Sequence, residues 1–326
     1  MKAKHKEDHE IVVIVPAFNE EIHIISTLAG IPKRVTRVIV INDGSTDNTE
    51  KFVLEQQLVD PRIQLINNEQ NFGLGHSLIV GYLESQKHFG DVTIVMAGDN
   101  QMDPDDLDAL IEPVIRDEVD YTKGNRLLRN DVRDSMPGYR FVGNSILTFL
   151  TKFATGYWHV VDPQCGYTAI SGKALNRIPI ATMTKGYGYN AHILNMLNIE
   201  NLRVGDVSVR PVYGPNTTKI KLRKYIPLIL KLLSNLYFKR LFQKYIWRDF
   251  HPLVLFYAMA VINSFFIALP LAIRFVYLYW TIGVAPTTTL ILLSLSTNIA
   301  VLSFFFAIWM DMEANRNVSV RLIDKL

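Results

Sequence analysis

Short apolar runs alternate with helical patterns through roughly the first 125 residues. Ile11–Val15, Val35–Ile41, Arg62–Ile66, Val92–Met96 and Asp120–Lys123 read as strands. Helical stretches start near Asn19, Asp47, Gly73 and Pro104. The strands are apolar throughout rather than alternating, as expected of strands covered on both faces. An α/β domain with a mostly parallel sheet follows. Ligands of such sheets sit beyond the carboxyl ends of the strands. The polar clusters Pro16–Glu20, Asn42–Asp47 and Gly98–Asp103 all fall there.

Beyond Arg126 the pattern changes. Pro137–Thr155 and Tyr187–Leu197 read as helices, "VDPQCGYTAIS" as a loop entering a strand, and Leu202–Val209 as a late strand. Within Tyr225–Arg248, Ile226, Ile229, Leu230, Leu233, Leu236, Tyr237 and Leu241 form a helical stripe, while Lys224, Lys231, Lys239, Arg240, Lys244 and Arg248 fill much of the rest. A basic amphipathic helix running into apolar sequence predicts a segment in the membrane interface. The plainer alternative is a charged face turned to solvent on a helix packed against the soluble domain. Leu253–Tyr279 and Thr289–Met310 each exceed the roughly 20 residues that span a bilayer. Their connection is uncharged and both outer flanks carry Lys and Arg, which predicts a hairpin with cytoplasmic flanks. The expected division is therefore 1–218 soluble domain, 219–250 interface helices and 251–326 transmembrane hairpin with its tail. The soluble domain and both termini are expected on the cytoplasmic side.

Composition agrees with this division. The 326 residues are 49% hydrophobic, and the excess lies almost wholly after His251. The net charge of +3 conceals a basic crowd between Lys219 and Arg248. Because those cations are interleaved with apolar positions, nucleic-acid binding is not expected. Cys165 is the single cysteine, which excludes an internal disulfide framework and fits a reducing compartment. The charged N-terminus, MKAKHKEDHE, has no apolar core of a signal peptide.

Each polar cluster admits a structural and a chemical reading. Asn19, Glu20 and Glu21 suit a helix start favoured by the helix dipole. Gly44 permits a tight turn and Ser45 or Asp47 can cap the next helix, which leaves Asp43 free to accept from a nucleotide base or ribose. "NFGLG" is a glycine-rich turn and weak alone. In "MAGDNQMDPDD", Asp103, Asp105 and Asp106 are helix-start residues. Asp99 has no such role; it lies where a hard-cation ligand belongs, with Gln101 offering a neutral oxygen.

The ordered set "VPAFNEE", "INDGSTDNT", "NFGLG", "GDNQMDP" and "VDPQCGY" resembles the family 2 glycosyltransferases of GT-A fold. With the amphipathic helices and the hairpin, the chain is similar to the polyprenyl- (dolichyl-) phosphate hexose synthases. The resemblance covers the soluble domain well and the membrane part in layout only. It implies that Pro16, Asn19 and Glu20 line the nucleotide, with Asp43 near base or ribose. Asp99 and Gln101 match the later part of the family's metal motif, for Mg²⁺ or Mn²⁺. Arg126 in "GNR", and Arg140 with Asn144 one turn on, match positions that hold the acceptor phosphate. Both arginines have an ordinary alternative as surface ion pairs. Asp162 is expected to be structural or loop-positioning.

Three departures stand out. Ala97 replaces the first Asp of the metal motif, and Leu74 stands where relatives often carry Lys or Arg. "RPVYGPNTTK" matches the Arg-x-x-Gly-x-Ser-Lys segment only loosely, which makes Arg210 and Lys219 weak candidates for the donor diphosphate. The implied partners are a nucleotide sugar, a polyprenyl or dolichyl phosphate and the bilayer, and a homo-oligomer is compatible with the chain. A processive polysaccharide synthase is the nearest rival, but its Gln-x-x-Arg-Trp motif is missing. A catalytically inactive membrane scaffold is the other rival, suggested by Ala97.

Overall fold

The computed structural model describes residues 9–128, 138–210 and 222–322; side chains are described for all of these except 128, 138–142, 144 and 222–225. The strands are β1 (Ile11–Ala17), β2 (Arg37–Asn42), β3 (Ile63–Asn67), β4 (Val92–Val95), β5 (Tyr121–Asn125), β6 (Thr168–Ser171), β7 (Val204–Ser208) and β8 (Ser319–Val320). They form one sheet in the order β3-β2-β1-β4-β6-β5-β7-β8. Its neighbouring pairs are parallel except where β6 lies antiparallel between β4 and β5. The carboxyl ends of β1, β2, β4, β5 and β7 therefore share one edge of the sheet. The loop entering β6 arrives at that same edge, because β6 runs the other way.

The helices of the α/β part are α1 (Ile24–Gly30), α2 (Thr49–Val59), α3 (Leu74–Lys87), α4 (Leu107–Ile115), α5 (Gly138–Thr155), α6 (Gly172–Arg177) and α7 (Tyr189–Ile199). Alternate residues of β1 point to opposite faces of the sheet, as the strand period requires. Ile11, Val13 and Val15 join a core with Ile24 and Leu28 of α1, Val53 of α2 and Leu107, Leu110 and Ile111 of α4. Val12 and Ile14 join a second core with Leu78 and Tyr82 of α3, Leu175 of α6 and Leu194 and Leu197 of α7. All-apolar strands between two layers of helices are thus used as their sequence predicts.

One expected helix start is displaced. The first helix begins at Ile24 rather than near Asn19, because Asn19 takes φ +56° and its side-chain oxygen accepts from the Thr46 amide at 2.8 Å. The tail also departs from expectation. After the apolar helices the chain returns to the sheet, where β8 pairs parallel with β7 and Val318 and Leu322 are buried.

The chain divides into two compact units, one of Met1–Tyr237 with Asn317–Leu326, the other of Phe238–Arg316. Helix α8 (Leu222–Phe242) belongs to the first unit through its early turns. There Ile229, Leu233 and Leu236 bury against Ala154 of α5 and Ala191 of α7, while Ile226, Leu228 and Leu230 are exposed. This stripe packs on the α/β domain and leaves a second apolar strip outside.

In the second unit, α9 (Leu253–Val261), a stretch of widened turns at Ile262–Ala268 and α10 (Leu269–Ile282) form one continuous helical rod, followed by α11 (Thr287–Ala314). Pro270 explains the widened turns, since it supplies no N–H to the turn before it. Both rods, Leu253–Ile282 and Thr287–Ala314, are long and apolar enough to cross a bilayer. Arg240 and Lys244 correct the expectation of a polar helix face, for both are buried. The Arg240 guanidinium donates to both Asp311 oxygens at 2.7 and 3.0 Å, the Tyr245 hydroxyl donates to Asp311 at 2.6 Å, and the Lys244 ammonium donates to Asn315 at 2.8 Å. Such charges are tolerated away from water only when paired and hydrogen-bonded, as these are.

Candidate active site

Three loops leave the carboxyl ends of β1, β2 and β4, and short side chains brace them against one another. The Asn19 amide donates to Ser45 Oγ at 3.0 Å and the Glu20 amide to Thr49 Oγ1 at 2.8 Å. Glu21 accepts from the backbone and side chain of Asn48 at 3.1 and 3.0 Å. Pro16 is buried in β1, and its carbonyl accepts from the Gly98 amide at 3.2 Å. Residues after β1 are thereby laid alongside the loop that carries Asp99. Thr27 of α1 donates to the Gly98 carbonyl at 3.1 Å, fixing that loop from the other side.

Asp43 is used differently from expectation. Its carboxylate is buried and accepts from Asn68 Nδ2 at 2.7 Å and from the amides of Phe72 and Gly73 at 3.1 and 2.8 Å. Rather than standing free for a base or ribose, it shapes the glycine-rich turn from within. Gly44 makes that turn possible: at φ +67° a Cβ would sit 2.6 Å from the backbone of Gln70. Gly75 is confined too, since a Cβ there would collide with the Thr184 carbonyl.

The Asp99 carboxylate accepts from the Gln101 amide at 3.1 Å across a turn in which Asn100 takes φ +57°. Burial, and then the negative charges of Asp99 and Asp47, push the Glu20 carboxyl up to about 7. Acidic groups so crowded favour a cation among them. Among the described residues no cluster of three or more His, Cys, Asp or Glu side chains is arranged to hold a metal. Mg²⁺ or Mn²⁺ takes one or two protein carboxylates and completes its shell with waters and phosphate oxygens; Asp99 would supply one such carboxylate, with Gln101 beside it.

Asp103 caps the following helix start, accepting from the Asp105 amide at 3.0 Å. Arg210, past the end of β7, reaches the same place, with its guanidinium 3.1 Å from Asp103 and 3.7 Å from Asp105. Arg210, the candidate diphosphate ligand, is thus held on the acidic helix start. Lys219 lies outside the described residues. Arg140 and Asn144 fall within α5, and their side chains lie outside the described set.

Arg126 stands just past β5 at the shared edge. Its Nε and a terminal nitrogen donate to the two oxygens of Asp162 at 2.8 and 3.2 Å. The ion pair raised as an alternative therefore exists, but its partner is buried rather than on the surface. Beneath it lies a set of buried polar residues outside the candidate list. Lys123 donates to the Cys165 carbonyl at 2.6 Å and to Asn190 Oδ1 at 3.0 Å, and burial lowers its ammonium below the usual lysine range. Burial likewise pushes the Asp206 carboxyl from 3.8 up to about 6. A charged residue inside each of "YTKGN" and "VGDVS", both otherwise strand-like, was the available signal.

A mostly parallel sheet of this order, with loop-braced acidic residues at its carboxyl ends, is an α/β architecture of the GT-A type. The model of glycosyl transferase family 2 matches residues 12–178, and the chain belongs to that family. It is a glycosyltransferase. Similar proteins include a UDP-N-acetylglucosamine–dolichyl-phosphate N-acetylglucosaminyltransferase of Methanococcus voltae, 29% identical over 63% of this chain and 87% of that protein. A polyprenol monophosphomannose synthase of Mycolicibacterium smegmatis is 25% identical over 54% of this chain and 67% of its own. Among solved structures, a glucosyl-3-phosphoglycerate synthase of Mycobacterium tuberculosis with Mn²⁺, UDP-glucose and phosphoglyceric acid superposes with a TM-score of 0.55. It is 20% identical, covering 72% of this chain and 80% of that one, a likeness of fold alone.

Proposed function

We propose that the protein transfers a hexose from a nucleotide sugar of GDP-mannose or UDP-glucose type to a polyprenyl phosphate at the cytoplasmic membrane face, with inversion. The observation that carries this reading is the shared sheet edge, which holds the Asp99 loop and Arg126 on a chain with two helices fit to cross a bilayer. Relatives named as dolichyl-phosphate, polyprenol and undecaprenyl-phosphate transferases support it. In the reaction an acceptor phosphate oxygen attacks the anomeric carbon as the bond to the nucleoside diphosphate breaks. That oxygen is already anionic at neutral pH, and no side chain has to remove a proton. The protein's work is then positioning and charge handling.

Asp99 with Gln101 would hold the cation, which when bound supplies compensation for charge on the departing diphosphate. Pro16, Asn19 and Glu20 line the donor side, and Asp43 acts there through the turn it braces. Arg126 and Arg140, with Asn144, orient the acceptor phosphate through the guanidinium's fit to phosphate. Arg210 and Lys219 serve the donor diphosphate. The chain's path supports the membrane layout. Residues up to Tyr237 and the strand β8 belong to one compact unit, in keeping with an apolar hairpin that begins and ends on the same side of the bilayer. Lys and Arg on both flanks favour the cytoplasmic side.

The test is sugar transfer by the detergent-purified chain onto a polyprenyl phosphate. Labelled GDP-mannose, UDP-glucose and UDP-N-acetylglucosamine are each supplied with Mg²⁺, Mn²⁺ or chelator. Lipid-linked product from one donor, lost with chelator, is expected. Metal-dependent donor binding with no product from any donor would favour the inactive scaffold.

A further inference from the structure

The residues behind Arg126 form a two-carboxylate device. Asp206, on β7, is nearly inaccessible, and one of its oxygens accepts two hydrogen bonds: from Asn125 Nδ2 at 2.8 Å and from the Val161 amide at 2.9 Å. Asn125 immediately precedes Arg126, and Val161 immediately precedes Asp162. One buried oxygen therefore ties together the two backbone segments that present the ion pair. The Asn125 side-chain oxygen, in turn, accepts from the Leu127 amide at 3.0 Å, closing the strand end around Arg126.

The loop bearing Asp162 is itself pinned on both sides. Tyr157 donates to the Leu202 carbonyl at 2.6 Å, and the His159 ring nitrogen Nε2 donates to the Val204 carbonyl at 2.9 Å. Further along, the Cys165 carbonyl accepts from the buried Lys123 ammonium. The Asp162 side chain is 6% exposed and that of Arg126 is 40% exposed. The carboxylate is thus the enclosed member and the guanidinium the accessible one. A mobile surface pair gains little because both side chains must be ordered for one contact. Here the carboxylate is ordered beforehand, and it grips the guanidinium along its Nε side, which sets the plane of the group.

We propose that Asp162 and Asp206 are positioning residues, holding the Arg126 guanidinium in the orientation that receives the acceptor phosphate. The inference rests on the reading of Arg126 as an acceptor-phosphate ligand. Asp162 touches no reacting atom; it acts through Arg126 alone, and Asp206 acts through the segments on either side.

The test compares Asp162→Asn, Asp162→Glu, Arg126→Ala and the Arg126→Ala/Asp162→Asn double variant as full chains in detergent. Farnesyl phosphate is the acceptor, and the donor is the one identified by the panel above. Asp162→Asn is expected to raise the acceptor KM about tenfold, leave the donor KM unchanged, and lose that effect in the Arg126→Ala background. Asp162→Glu should recover part of the loss. Asp206→Ala should raise the acceptor KM in the same selective way, and it stands in if Asp162→Asn does not fold. Equal rises in both KM values, or an Asp162→Asn effect that adds fully to Arg126→Ala, would mean a merely structural role and overturn the proposal. If Arg126→Ala itself leaves the acceptor KM unmoved, the reading of Arg126 falls first. If Arg126→Ala raises it and Asp162→Asn does not, only the positioning role falls.

Discussion

The two halves of the sheet solve the same problem with opposite means. In the half built from β3, β2, β1 and β4, the strands are apolar and the polar residues wait in loops beyond their ends. Those loops are braced by short contacts such as Asn19 to Thr46 and Glu21 to Asn48. In the half built from β6, β5 and β7, charge is carried inside the strands, as Lys123 and Asp206, and Arg126 emerges just past β5. The first arrangement leaves Glu20, Glu21 and Asp99 half-buried in loops. In the second, buried polar groups hold a single guanidinium through Asp162. On the proposed reading, donor and acceptor make different demands: one brings charge to be compensated, the other brings a nucleophile to be aligned.

The comparison is open to attack at several points. The largest effect is expected at Asp99. Asp99→Ala should lower turnover by about a thousandfold, since the charge handling of the leaving group is lost with it. Ala97→Asp should leave transfer in place, because on the proposed reading one carboxylate with Gln101 is sufficient for the ion. Initial rates at saturating donor with Mg²⁺ measure both; near-normal turnover in Asp99→Ala would remove the cation from that loop.

Asp43→Ala comes next and reads stability instead. Three donors, two of them backbone amides, lose their acceptor in a buried turn. A cost of about 2–4 kcal/mol is expected, together with weaker donor binding. Denaturant unfolding and donor titration report the two separately, and an unchanged melting curve would mean that the turn holds itself.

Asp206 sharpens the contrast from the other half, with a smaller effect and the opposite sign. Burial raises its carboxyl from 3.8 to about 6, and the folded chain therefore keeps a proton that the unfolded chain releases between those pH values. Its contribution to stability is complete below about 4 and is lost as pH rises through 6, by up to roughly 3 kcal/mol. Asp206→Asn retains an oxygen acceptor without the charge, and it should flatten that part of the stability–pH curve and be the more stable chain at pH 8. Unfolding midpoints of both chains at pH 4 and pH 8 decide it; parallel curves would show that the wild-type carboxylate carries no such penalty.

Much of the half built from β1 to β4 is legible without coordinates. Apolar runs that lack alternation announce strands covered on both faces, and each polar cluster after them lands at a strand end because strand and loop are contiguous in the chain. The two apolar rods are legible for the same reason, since length and hydropathy are local properties. Even so, the start of α1 moved from Asn19 to Ile24, because Asn19 is drawn across to the next loop by a residue 27 positions away. Asp43 shows the same limit: its three donors follow it by 25–30 positions, and nothing near it in sequence reveals that it faces inward.

By itself the sequence determined the alternation of strand and helix, the carboxyl-end placement of Asp99, the family, and the two long apolar helices. All of these depend on residue type and spacing along a contiguous stretch. Only the tertiary structure decided that β6 runs backwards between β4 and β5, that the tail returns as β8, that Arg240 and Lys244 turn inward to Asp311 and Asn315, and that Asp206 links the segments bearing Arg126 and Asp162. Each of these joins residues tens of positions apart or more. A buried charge settles where a partner can satisfy it, and that partner is found in space rather than along the chain.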